Sequence, residues 1–290
     1  MPSGGLSHEH RPRPAHRRSR RAAHLGPARR REPLPHPRPA RPPRLRQPRA
    51  PHHPRDPRRC HFPHPRPDRG AARPLHNTAL LAKQTATLDR LSDGRFTLGI
   101  GVGGREDDCL AAGIDIHRRG RRLDEQLTLL RRAWSGEPYG EGVGPIGPAP
   151  TTPGGPEVLF GGFAPAALER VARFGDGFLG AALPPSFMSN LFRDVETAWQ
   201  KHDRPGRPRL VAQANVALGP DSTLEGARRN LRDYYAFSGH VAYMEAGLLT
   251  TPRQIRETAD AYFGIGADEV ILYCWASDAD QIDRLADVLF

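Results

Sequence analysis

The chain has 290 residues and a formal net charge of +11, with 43 Lys and Arg against 32 Asp and Glu. The excess sits at one end: residues 1–75 hold 20 Arg, 18 Pro and 9 His but no Lys and four acids, a net +16 that leaves −5 for residues 76–290. No run of 18 apolar residues is present, which excludes a membrane-spanning helix, and three cysteines (Cys60, Cys109, Cys274) without metal-like spacing imply neither a disulfide framework nor a zinc site.

The first stretch, residues 1–73, is too poor in aliphatic side chains to offset the roughly 1–2 kcal/mol of backbone entropy per ordered residue. Its prolines also remove amide donors and keep their neighbours out of the helical region. Disorder is expected from Met1 to about Arg73. A nucleic-acid-binding arm would contact phosphates through its arginines, though such arms usually mix in Lys. A transit peptide would be richer in Ser than Ser3, Ser7 and Ser19 make this one. Arg, Pro, His and Ala without Lys, Ile or Val is also what GC-rich coding DNA gives when read out of frame, and a frame error or wrong start is the favoured reading. With no apolar-cored signal peptide, the rest of the chain reads as cytoplasmic.

From Pro74 the pattern changes. Leu80, Leu81, Thr85, Leu88 and Leu91 form a helical stripe over 78–91, stopped by Ser92-Asp93-Gly94. Phe96 to Gly101 is a short buried strand. A polar loop follows, in which the adjacent Asp107 and Asp108 read as solvated, then a helix over 121–134. Residues 136–155 are a long Gly/Pro-rich excursion. Strands are expected at 157–160, 177–180, 210–218 and 268–273. Helices are expected at 164–174, 185–202, 221–237, from 252 to about 263 behind the cap Thr251-Pro252, and at 277–289. Five strands alternating with helices give an α/β fold with a parallel sheet; periodicity alone fits a barrel or a doubly wound sheet equally well.

Two longer stretches carry a resemblance. Leu80-Leu81-Ala82-Lys83-Gln84-Thr85-Ala86-Thr87-Leu88-Asp89-Arg90-Leu91-Ser92-Asp93-Gly94-Arg95-Phe96, followed by Gly99-Ile100-Gly101-Val102-Gly103 and Arg118-Arg119-Gly120-Arg121-Arg122-Leu123-Asp124-Glu125, resembles the bacterial-luciferase-like flavin-dependent oxidoreductases. Leu159-Phe160-Gly161-Gly162, Ala166-Ala167-Leu168 and Gly175-Asp176-Gly177-Phe178 fall in that family's order. The resemblance covers residues 74–290 and implies a partial TIM (β/α)8 barrel. In that register the five strands are the fourth to the eighth, and the first three strand–helix units are replaced by the Arg/Pro-rich segment.

Barrel sites lie at the C-terminal ends of strands. Gly101 and Gly103 end one strand, where glycines let a backbone approach a ring or phosphate or simply make a tight turn. Gly161, Gly162, Phe163 and Ala164 lead from the next strand into a helix whose free amides favour an anion. The resemblance implies that this junction, with Arg121, holds the flavin phosphate; the alternative for Arg121 is a solvated charge among its arginine neighbours. No catalytic residue is assigned. His117 is carried as a candidate against the commoner reading of an exposed loop histidine, Cys109 as a bystander, and Trp199 and Trp275 as packing residues, Trp275 near enough to a strand end to border substrate. No metal ligand set is apparent.

The activity implied by the resemblance is a monooxygenase using reduced FMN and O2 on a small organic substrate. Hydride transfer with the deazaflavin coenzyme F420 is the alternative, and a homodimer is an open option. Readings from other classes are an inactive barrel fragment and nucleic-acid binding through the basic arm, the latter disfavoured by the −5 body.

Overall fold

The computed structural model describes residues 71–289. Residues 1–70, and with them the expected disorder and the basic arm, lie outside the described residues. The expected disorder extended to about Arg73, but Ala71–Ala72 form a two-residue strand, β1, followed by a 3-10 turn over Arg73–Leu75.

Five further strands follow in chain order, namely β2 (Thr97–Gly101), β3 (Glu157–Phe160), β4 (Gly177–Leu179), β5 (Arg209–Val216) and β6 (Glu269–Cys274). All pair in parallel in the order β1-β2-β3-β4-β5-β6, with Ala71 opposite Ile100 and Thr97 opposite Glu157. This order settles what periodicity left open. A doubly wound sheet reverses direction at a switch point and carries helices on both faces. Consecutive neighbours joined by right-handed crossovers put every helix on one face, so the sheet curls as part of a (β/α)8 barrel. β6, last in the order, is half-buried along its whole length, as befits an edge strand.

β1 is not legible in the sequence because two alanines beside Arg73 show no period; the edge of β2 supplies their partners. The helices are α1 (Thr78–Leu91), α2 (Glu106–Ala111), α3 (Arg119–Trp134), α4 (Pro165–Phe174), α5 (Pro185–Lys201), α6 (Asp221–Tyr235), α7 (Val241–Ala246), α8 (Pro252–Gly264) and α9 (Gln281–Leu289). α2 replaces part of the expected polar loop. Its first turn is Glu106, Asp107 and Asp108, placed where the positive end of the helix dipole favours acids.

Strand alternation sorts the core. Leu98, Ile100, Val158, Phe160, Phe178, Leu210, Ala212, Ala214 and Val216 join the cluster formed with helix residues such as Leu81, Leu127, Val195 and Ile255. Intervening strand residues face the other way. The 136–155 excursion is anchored on this layer from two sides. Buried Asp89 accepts from the Thr152 amide at 2.8 Å and its hydroxyl at 2.9 Å. Gly155, at φ +112°, lies against the Trp134 ring so closely that a Cβ there would be 2.2 Å from a ring carbon.

At the N-terminal edge of the sheet, Arg209 bridges Glu157 of β3 and Glu269 of β6, and Glu157 also accepts from Thr97 Oγ1 at 2.6 Å. One cation thus ties the starts of four strands or their neighbours together, and its side chain is only 15% exposed. Arg209→Ala would remove the half-buried cation that Glu157 and Glu269 share. The expected loss is about 2–3 kcal/mol of unfolding free energy, read by urea denaturation; a loss below about 0.5 kcal/mol would show the network to be an ordinary surface ion pair.

Candidate functional site

At the opposite edge the strand exits converge on a cavity of about 390 Å³, within the range of small-molecule sites. Its described lining comes from Leu75, Gly101 to Arg105 at the exit of β2, Gly161 to Phe163 after β3, Leu179 to Ala181 at the exit of β4, Gln213 on β5, Asp108 and Cys109 of α2, and Tyr234, Tyr235 and Phe237 at and beyond the end of α6.

The exits are glycines because the ladder continues through them. Gly161 donates to Ile100 O at 2.8 Å and Gly180 to Val211 O at 2.7 Å. A Cβ on Gly161 would stand 3.2 Å from Leu179 O, and one on Gly180 only 2.4 Å from Met188 Cε. Gly103 and Gly162 have φ of +76° and +137°, values that side chains resist. The cavity wall along β3 and β4 is therefore bare backbone, open to close approach by a flat ring or a phosphate. At Gly104 a Cβ would meet nothing within 4 Å.

Among the described residues one cation lines the cavity, Arg105, with its side chain 31% exposed. It pairs with Asp107, lies 3.7 Å from Asp108, and stacks 4.7 Å over the Phe237 ring. The hydrogen bond from Arg105 holds the Asp107 carboxyl below the usual carboxylate range and raises the guanidinium in turn. The adjacent acids are thus not a catalytic pair but the counter-charge of this arginine. Arg119 fixes the loop from below, donating from Nε to Gly103 O at 3.1 Å.

The deeper polar group is Gln213, 3% exposed, whose Oε1 has no hydrogen-bond partner among the described residues. An unpaired buried carbonyl costs about 1–3 kcal/mol. Trp275 does not reach the cavity lining; it packs 5.7 Å from Tyr234 and 5.9 Å from Tyr235 and backs the aromatic wall. A second cavity, of about 350 Å³, lies beyond β5 between Pro184, Tyr243, Leu249 and Tyr262. Burial pushes the Tyr262 hydroxyl up to about 12, and it donates toward the Leu183 and Gln213 carbonyls.

Of the residues singled out from sequence, Gly101, Gly103, Gly161, Gly162 and Phe163 come together in the first cavity. Ala164 is the N-cap of α4, next to the lining but not in it, and adds no side-chain cap. Arg121 is not brought there: its side chain is 75% exposed and bonded to Glu125 one turn along α3, at 3.1 Å. His117 is exposed in a 3-10 turn (Ile116–Arg118), its amide held by Asp115, and does not line the cavity. Sequence reasoning missed Arg105, Gln213 and the Tyr234–Phe237 wall. An arginine directly after a glycine run, and an amide inside an apolar strand, were the available signals for the first two; nothing in the sequence linked α6 to the exit of β2.

Among the described residues no group of three or more His, Cys, Asp or Glu is placed to hold a metal ion, and no helix is long and apolar enough to cross a membrane. The glycine-walled cavity, its single cation and its orphaned amide suit a cofactor with an anionic arm and a flat head.

A family model described as luciferase-like monooxygenase matches residues 70–269. A protein of Mycobacterium tuberculosis is 34% identical over 131 residues, covering 42% of this chain and 44% of its own. The chain spans about half the length of the curated relatives it matches. Among solved structures, an F420-dependent secondary alcohol dehydrogenase in complex with an F420–acetone adduct superposes with a TM-score of 0.60 at 18% identity, covering 74% of each chain. A monooxygenase from Streptomyces bottropensis superposes with a TM-score of 0.59 at 22% identity, again over 74% of each.

The exit of β3 gives a direct test of the backbone account. A Cβ at Gly162 would lie 2.7 Å from Ala167 Cβ at a φ few side chains adopt. Gly162→Ala should destabilise the fold by about 1–3 kcal/mol, measured by thermal unfolding, whereas Gly104→Ala should leave the melting temperature within about a degree, since its Cβ meets open space.

Proposed function

The chain belongs to the luciferase-like monooxygenase family, and from that premise we propose that it is a flavin-dependent oxidoreductase whose cofactor, FMN, occupies the cavity at the strand exits. The observation that carries the reading is the pairing of a glycine-walled cavity with a single lining cation, Arg105. When bound, reduced flavin supplies the electrons with which O2 oxygenates a small organic substrate.

The chain's own residues bind, orient and exclude water. Arg105 turns from Asp107 to the flavin phosphate, a charge-assisted contact favoured by its forked donors. The first turn of α4 adds little to this contact, because Pro165 has no N–H and the Ala167 amide already donates to Ala164 O. Gly101, Gly103, Gly161 and Gly162 let the main chain approach the ring, and Tyr235 supplies buried apolar wall with the half-exposed Phe163 and Phe237 beside it. No acid or base on the wall is assigned a proton-transfer step. Coenzyme F420 shares the phosphate and the planar head, so the same contacts would serve hydride transfer by the deazaflavin.

The test is FMN affinity measured by quenching of flavin fluorescence. Arg105→Ala should weaken FMN about tenfold, roughly 1.4 kcal/mol, and Arg121→Ala should leave it unchanged. A wild-type chain that binds no FMN would contradict the proposal; a tenfold loss in Arg121→Ala with none in Arg105→Ala would move the phosphate contact to α3.

A further inference from the structure

Gln213 has no part in the fold that a smaller apolar residue could not play. It lies in β5, Arg209–Val216, where Leu210, Ala212, Ala214 and Val216 turn toward the helices and join the main core. Residue 213 is of the opposite parity, so its side chain stands on the inner face of the sheet, where it lines the first cavity. It is 3% exposed, and Oε1 finds no partner among the described residues. Buried amides are almost always satisfied, and one that is not calls for a specific reason.

The surroundings define what the missing partner must be. Beside Gln213 the lining is Leu179, Gly180 and Ala181, where a Cβ on Gly180 would displace Met188 Cε and press on Val211 O. The far side is aromatic, through Tyr234, Tyr235 and Phe237. The charged residues of the described lining, Arg105 and Asp108, are 31% and 47% exposed at their side chains and far shallower than Gln213. The inner end of the cavity therefore suits a neutral, planar group that offers a hydrogen-bond donor. An amide also carries a donor on Nε2, and its best complement is an edge with N–H and C=O side by side.

We infer that Gln213 anchors the inner end of the cavity's occupant by accepting, at Oε1, a hydrogen bond from the N–H of a lactam-type edge on a planar heterocycle. The anchor fixes how far the head enters and which edge faces β5, so it sets specificity among flat ligands and does not itself react. The inference rests on the reading of this cavity as a flavin site, with Arg105 at the anionic end and Gln213 at the ring end.

The two ends separate experimentally, because riboflavin has the ring without the phosphate. Full-length wild type, Gln213→Met and Gln213→Glu are titrated with FMN and with riboflavin, and the ligand-free melting temperatures are measured alongside. Gln213→Met, similar in length but without the acceptor, should weaken both flavins by the same factor, about tenfold. The FMN-to-riboflavin affinity ratio should stay at the wild-type value, and the ligand-free melting temperature should hold or rise once the unpaired carbonyl is gone. Gln213→Glu, which retains an acceptor, should bind riboflavin more tightly than Gln213→Met does. Unchanged affinities in Gln213→Met, with wild-type binding intact, overturn this inference alone. So does a fall of several degrees in its ligand-free melting temperature with unaltered affinity, which marks a structural role. Failure of the wild-type chain to bind either flavin overturns the flavin reading and this inference with it.

Discussion

Parallel pairing in strict chain order is the constraint from which the rest of the molecule follows. Each strand must return through a helix to start again at the same edge, so all exits gather at one edge and all entrances at the other. The ladder then runs one residue beyond the strands, through Gly161 to Ile100 and Gly180 to Val211. Those bonds force the chain to leave each strand where its neighbour's carbonyl and a helix side chain already crowd the space. Glycine fits there without displacing a neighbour, and the result is a wall of bare backbone. The entrances face the contrary problem, strand starts with carboxylates close together, which Arg209 resolves by charge.

The cavity is a consequence of that geometry and the charges were added to it. Arg105 stands where the chain turns out of β2 into α2, and the acids at the start of α2 serve both the helix dipole and the arginine. This arrangement keeps a cation at the cavity within an ion pair that is half-exposed and screened by solvent. The stacking of Arg105 over Phe237 links the β2 exit to the end of α6, so the polar and aromatic parts of the lining are held by one side chain. Gln213 Oε1 is a buried acceptor in this lining with no partner among the described residues, a local cost set in the middle of β5.

The sequence told more about strands than about side-chain directions. β3 was placed at its observed residues and β2, β4, β5 and β6 within one or two, because short apolar runs bounded by glycine and charge leave little freedom. β1 and α2 were invisible: two alanines have no period, and Glu106 to Ala111 is too short and acidic to show a stripe. The four arginines before Leu123 show the harder limit. At about 100° per residue they point in different directions: Arg119 bonds Gly103 O, Arg122 bonds Pro74 O, and Arg121 meets Glu125 in solvent. A family resemblance could match the position of an arginine but not the direction of its guanidinium. The glycines were legible because their role is in the backbone, which the strand boundaries already determine. Gln213 and the α6 aromatics belong to the site through tertiary placement alone.

The measurement that bears most directly on this account is amide hydrogen exchange of the full chain with and without saturating FMN. The account predicts slowed exchange confined to the strand exits, at residues 101–105, 161–167 and 179–181, with the end of α6 protected as Phe237 closes over the ligand. Protection centred instead on residues 243–262 around the second cavity, or none at the strand exits while FMN is bound, would contradict it.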